Sequence, residues 1–173
     1  MELEAWKRGD KAAVLDGAIP PQAVINQPRY HFGEYYVLRH FKRAGWSGCC
    51  NYAIGTWEPD NPRYLEGRTM LQTLFAAPRL AAFREQQRLT GSLTGRGEPD
   101  VFLYRAGGEA LFLEVKKEND RIAPAQLACL AQIKAILQAE VGVVYLVPHG
   151  RAYTPKTYEL DLESFVGRIV PCA

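Results

Sequence analysis

The more regular pattern of apolar and polar positions lies in the second half of the chain. Asp100–Arg105 and Ala110–Lys117 are runs rich in β-branched and aromatic side chains. Ala106-Gly107-Gly108-Glu109 joins them, and a tight glycine turn between two such runs predicts a β-hairpin. Pro124–Glu140 then reads as a helix, with Pro124 at its first position and Gly142 just past its end. The apolar run Gly142–Val147 predicts a central strand, and Leu162–Arg168 a short closing helix.

The first half is less regular. Phe32–Ala44 has helical spacing and stops at Gly45. Cys49–Trp57 is strand-like or irregular, and Glu58-Pro59-Asp60-Asn61-Pro62 is a turn. Thr69–Leu89 carries helical spacing, with Pro78 kinking or dividing it. Residues 1–30, punctuated by Pro20, Pro21 and Pro28, predict an arm packed on a domain at 31–173, with an elaboration at about 47–95. Helices interleaved with a hairpin and a later strand predict an α/β fold, a mixed β-sheet flanked by helices.

Composition narrows the function classes. With 173 residues, one domain is expected. At 47% hydrophobic and 11% aromatic the chain can bury a core, which excludes global disorder. The longest apolar runs fall far short of the roughly 18 residues of a membrane span. The first residues, Met1 to Arg8, lack the apolar centre of a signal peptide, so a cytoplasmic location and no membrane partner are expected. A net charge of +2, from 21 basic and 19 acidic side chains, excludes a uniformly basic nucleic-acid binder, so any positive patch must be local. Four cysteines are too few for a disulfide scaffold. A zinc site from His31, His40, Cys49 and Cys50 fits no standard ligand spacing, and reduced thiols are the simpler reading.

The candidate chemistry sits on the hairpin. Side chains alternate along a strand, so Glu114 and Lys116 share a face while Val115 points into the core. With the turn near Gly107 or Gly108, Asp100 falls opposite Glu114 or Val115. Two carboxylates and an ammonium then converge at one end of the sheet. Paired carboxylates are hard ligands for Mg²⁺, and such an ion can activate water against a phosphodiester. Taken alone, Glu-x-Lys on a strand is more often a solvated cross-pair, and Pro-Asp is a common turn, as at Pro59-Asp60. The combination carries the weight.

The string Gly97-Glu98-Pro99-Asp100 followed by Glu114-Val115-Lys116 resembles the signature of the PD-(D/E)XK nuclease superfamily. The next residues, Asn119-Asp120-Arg121-Ile122-Ala123-Pro124-Ala125-Gln126, resemble its virus-type replication-repair nuclease (VRR-NUC) family. The matched stretch covers about residues 95–147 plus one upstream helix. The resemblance implies a restriction-endonuclease-like core and divalent-metal-dependent cleavage of DNA. It implies Asp100, Glu114 and the backbone carbonyl of Val115 as holders of Mg²⁺ or Mn²⁺, Lys116 as the cation that orients water, and Gln126 as support for the lysine or the scissile phosphate.

The superfamily also places a glutamate on an upstream helix, and Glu34 is the candidate for that further metal ligand. Val37, Leu38 and Phe41 lie three, four and seven residues beyond it, so Glu34 shares the inward face. The plainer alternative is a glutamate at the margin of that stripe. Lys117 stands where a small residue is usual, and Ala123 where a capping Ser or Thr is expected; neither change removes a ligand. Arg39, Lys42, Arg43, Arg96, Lys117 and Arg121 bracket the site as candidate phosphate contacts, against the ordinary alternative of solvated faces. Three functions follow as expectations: a structure-selective repair or phage-type DNase; an antibacterial DNase toxin delivered to a target cell and restrained by an immunity protein; or a catalytically inactive DNA-binding module.

Overall fold

The structure, a computed structural model, describes residues 2–16, 30–55, 62–90 and 97–170. It is α/β. Among the described residues, α1 (Glu2–Lys7), α2 (Ala12–Leu15) and α3 (Phe32–Arg43) come first. Strand β1 (Ser47–Cys49), helices α4 (Leu65–Leu74) and α5 (Ala77–Leu89), and the hairpin β2 (Val101–Arg105) with β3 (Glu109–Lys117) follow. Helix α6 (Pro124–Gln132) then leads to β4 (Glu140–Leu146), and β5 (Thr157–Asp161) pairs with β6 (Val166–Val170). The main sheet is mixed, in the order β1-β2-β3-β4, antiparallel except for the parallel β3–β4 pair. That pair is joined by α6, the crossover that parallel neighbours require.

Strand alternation divides the interior in two. Phe102, Ala110 and Phe112 face Leu71 of α4 and Phe75 just past its end, Leu80 and Phe83 of α5, and Cys129 of α6. Phe102 and Phe112 are register partners whose rings stack with centroids 4.7 Å apart. Val101, Leu103 and Leu113 face the other way, toward Val37 and Leu38 of α3, with Trp6 and Val14 beneath. Trp6 is fully buried, and burial of so large a ring contributes roughly 2–3 kcal/mol. Trp6 and Val14, from the first segment, thus belong to the core, and α4, α5 and α6 share one face of the sheet.

Several local expectations are corrected. Pro78 does not kink one long helix. The chain breaks at Phe75 and Ala76, and Pro78 occupies the first turn of α5, where its missing N–H costs nothing. The helix after Pro124 gives way to a π-helical turn at Ile133–Leu137 and ends at Gln138, which takes the left-handed conformation (φ 58°) usually filled by glycine. The chain is already extended at Glu140, so Gly142 lies inside β4 rather than at a helix stop. That strand is not central. Among the described residues it is a sheet edge, and Val141 to Leu146 are all half-buried. An apolar run reports burial of side chains, not position in the sheet. The predicted closing helix at Leu162–Arg168 is instead the turn and second strand of a hairpin. Asp161 makes the turn: its carboxylate accepts the Glu163 and Ser164 amides at 2.9 and 3.1 Å.

Arg39, expected at a DNA-facing surface, is buried. Its guanidinium donates to both carboxylate oxygens of Glu2 at 2.8 and 2.9 Å and to the carbonyl of Ala13, and it lies over the Tyr36 ring. It ties α1 and α2 to α3. Its spacing from Tyr35, four residues along one helix face, is the signal that places it inward. Arg39→Ala should cost roughly 2 kcal/mol of stability, read by chemical denaturation, while leaving DNA affinity and its salt dependence at wild-type values.

Candidate active site

The β2–β3 register runs from Arg105↔Glu109 to Val101↔Leu113. Continued by one residue it sets Asp100 opposite Glu114. Asp100 turns back onto the hairpin: its Oδ2 accepts the Val115 amide at 2.8 Å. That bond fixes the carboxylate at the mouth of the two strands. Val115 itself packs against the α3-side core, which leaves Glu114 and Lys116 on the opposite face.

Glu114 is only 1% exposed. Two donors reach its Oε1: the Lys116 ammonium at 2.5 Å and the Gln126 side-chain amide. Gln126 is held from its other end, where its Oε1 accepts the Ala123 amide at 2.9 Å. This is half of a capping box, and it satisfies one orphan donor at the start of α6. Gln126 therefore braces the carboxylate oxygen that also receives Lys116. The second oxygen, Glu114 Oε2, is buried and has no hydrogen-bond partner among the described residues.

Two close approaches assemble these elements. Gly97 has φ +113°, and a Cβ there would sit 2.7 Å from the Ala125 carbonyl oxygen. The segment leading to Asp100 is thereby pressed against the start of α6, which carries Gln126. Tyr52 adds a hydrogen bond from its hydroxyl to the Pro99 carbonyl. Glu98 anchors the same segment, accepting the Gly55 amide at 2.7 Å and the Ile54 amide at 3.2 Å. On the other side, a Cβ at Gly33 would lie 3.1 Å from Val115 and Leu146 side chains, so the first turn of α3 rests directly on β3 and β4.

Glu34 follows from that contact. Its side chain is 23% exposed, and His31 Nδ1 lies 2.7 Å from its Oε2. It feels the charges of Asp100 and of Lys117. Among the described residues, however, no three His, Cys, Asp or Glu side chains are gathered closely enough to hold a metal ion. The structure thus brings Asp100 and Glu114 together as a pair, with Lys116 and Gln126 upon them, and sets Glu34 in the same field. His31, weighed from the sequence only as a zinc ligand, is the partner of Glu34 that sequence reasoning missed. It follows the proline-punctuated stretch, where no periodicity points to it.

The electrostatics agree with a pair of acids pressed together. Burial pushes the Glu114 carboxyl up, to about 8, with the Asp100 charge adding to it and Lys116 opposing. Burial also raises Asp100, against the Val115 amide and the Lys116 charge. Burial raises Glu34, His31 opposes this, and Asp100 reinforces it. A carboxyl raised in the fold binds its proton more tightly there than in the unfolded chain. Its stabilising contribution is complete below the ordinary value of 4.5 and is lost as pH rises toward about 8. In EDTA, the melting temperature should therefore fall by about 5–10 °C between pH 5 and pH 8, as read by calorimetry. A flat or rising profile would contradict the proposed strain between these acids.

Of the candidate phosphate contacts, Lys42, Arg43, Lys117 and Arg121 are exposed, with Arg43 3.4 Å from Asp16. The Lys117 amide donates to Asp120 at 2.9 Å, closing the turn between β3 and α6. Arg96 lies outside the described residues. No helix among the described residues is long and apolar enough to cross a membrane. Comparison of the chain with protein-family models, curated proteins and solved structures finds no match, so the reading of this site rests on its own geometry.

Proposed function

We propose that the chain is a divalent-metal-dependent DNA nuclease of the PD-(D/E)XK type, with Asp100, Glu114 and Lys116 at its centre. The observation that carries this reading is Glu114 Oε2, a buried carboxylate oxygen that no N–H or O–H donor reaches among the described residues, in a side chain pressed against the Asp100 carboxylate. Two carboxylates so close together either share a proton or hold a cation between them. A hard divalent ion fits: Mg²⁺ takes one or two carboxylates and fills its remaining positions with water and phosphate oxygens. Mn²⁺ accepts the same ligands. When bound, the ion supplies polarisation of a phosphoryl oxygen and makes water a better nucleophile.

The chain's own groups do the rest. Gln126 and Lys116 hold Oε1 of Glu114, which leaves Oε2 for the ion. The Lys116 side chain is 12% exposed, and its ammonium keeps donors beyond the one it gives to Glu114. Those donors orient the attacking water and offset charge on the phosphate. Glu34, in the same field, would complete the ligand set, and the Val115 carbonyl would be a further ligand. Lys42, Lys117 and Arg121 hold the DNA backbone.

The test is incubation with plasmid, duplex, flap, single-stranded and junction DNA in Mg²⁺ or Mn²⁺. Cleavage of at least one substrate is expected, lost in EDTA and lost in the Glu114→Ala, Lys116→Ala double variant. Persistent cleavage by that variant would remove the assignment. No cleavage of any substrate by the wild-type protein would remove the activity.

A further inference from the structure

Resting on the metal-site reading above, we infer that His31 is a positioning residue that holds Glu34 as the outer ligand of that site. Three features of the structure meet at this residue. His31 is the N-cap of α3 and takes φ 65°, ψ 6°, a left-handed backbone that is uncommon outside glycine. Such outliers persist only where the surroundings enforce them. The enforcement is visible one residue earlier: the buried Trp6 indole donates to the Tyr30 carbonyl at 3.0 Å. Trp6 also packs edge-on to Phe32, 5.9 Å between centroids, and stacks on Tyr35 at 6.0 Å. The backbone on both sides of His31 is thus fixed by one buried ring.

The consequence is where the imidazole goes. An ordinary N-cap side chain would accept an amide from the first turn, but His31 makes no such cap bond. Its Nδ1 instead lies 2.7 Å from Glu34 Oε2. A carboxylate beside an imidazole nitrogen makes that nitrogen the donor. With Oε2 so occupied, the other carboxylate oxygen remains for the cation, and the carboxylate cannot swing into solvent. Asp100 feels the His31 charge as well, so the imidazole stands at the edge of the same acidic group. Outer partners of this kind fix a ligand's direction, and their loss commonly costs about 10–100-fold in metal affinity.

Three substitutions separate the donor from the backbone. Asparagine tolerates the left-handed conformation and places an amide donor close to where Nδ1 sits. Glycine keeps the backbone and removes the donor. Alanine loses both. Mn²⁺ binding to the full chain without DNA is followed by electron paramagnetic resonance, alongside the Mg²⁺ concentration that gives half-maximal cleavage. His31→Asn is expected to stay within about 2-fold of wild type. His31→Gly and His31→Ala are expected to bind Mn²⁺ roughly 10-fold more weakly and to need correspondingly more Mg²⁺. Wild-type Mn²⁺ affinity in His31→Gly would overturn the positioning role alone, leaving His31 as a backbone device. Absence of Mn²⁺ binding to the wild-type chain would overturn both this role and the metal site beneath it.

Discussion

Glu114→Gln is expected to lower DNA cleavage on the order of 10³-fold and, in the same protein, to raise the metal-free melting temperature at pH 8. The two effects have one cause. Glutamine keeps the Oε1 acceptor for Lys116 and Gln126 and fills the same space. Its Nε2 replaces the buried oxygen that has no partner among the described residues, and it donates toward Asp100 instead of repelling it. Removing a buried like-charge contact while adding a hydrogen bond should stabilise by roughly 1–3 kcal/mol, or about 3–10 °C for a chain of this size. The pH-dependent loss of stability between pH 5 and pH 8 should also largely disappear in this variant. Mg²⁺ or Mn²⁺ should raise the melting temperature of wild type at pH 8 and leave Glu114→Gln unchanged, since only a folded chain with a site gains from the ion. Calorimetry with and without EDTA reads all of this. A variant less stable than wild type in EDTA at pH 8 would mean that the carboxylate pair carries no strain.

Gly97→Ala carries the second large effect. The new Cβ would stand 2.7 Å from a backbone oxygen of α6, in a segment whose φ of +113° suits only glycine. Neither the Ala125 carbonyl nor the anchored Glu98-Pro99 segment can yield cheaply, because Tyr52, Ile54 and Gly55 hold the latter. A loss of about 2–4 kcal/mol is expected, together with a fall in cleavage as Asp100 and Gln126 are pushed apart. Gly107→Ala is the matched comparison. Its φ is +102°, yet nothing lies within 4 Å of a Cβ there, so it should cost only the backbone strain. Equal melting temperatures for the two variants would mean that the contact with α6 does not hold the site together.

These expectations differ in how visible their grounds were in the sequence. That Asp100 falls opposite Glu114 or Val115 was legible because a tight turn fixes hairpin register to within a residue, and Pro99 marks where the strand begins. The inward face of α3 was legible through helical spacing, since Val37 and Leu38 do face inward, with Glu34 partly exposed at its margin. The β5–β6 hairpin was not, although Thr157–Asp161 alternates between exposed and half-buried positions. A five-residue alternation is a weak signal, and Leu162 to Arg168 fits helical spacing as well. The helix end at Gln138 was hidden because a glutamine there carries no stop signal. His31 and Trp6 were hidden for a different reason. They act through contacts spanning non-periodic chain, and only the fold brings the indole beneath Tyr30. Arg39 shows the opposite error: its charge argues for solvent, while its place on the helix and its partner Glu2 put it inside.

The most direct test of the central claim is conversion of supercoiled plasmid by the wild-type chain in Mg²⁺, set beside the same reaction in EDTA and beside Glu114→Gln. If Asp100 and Glu114 form a cation site that serves phosphodiester hydrolysis, nicked or linear DNA accumulates only with wild-type protein and only with the metal. Equal conversion in EDTA, or by Glu114→Gln, would contradict it.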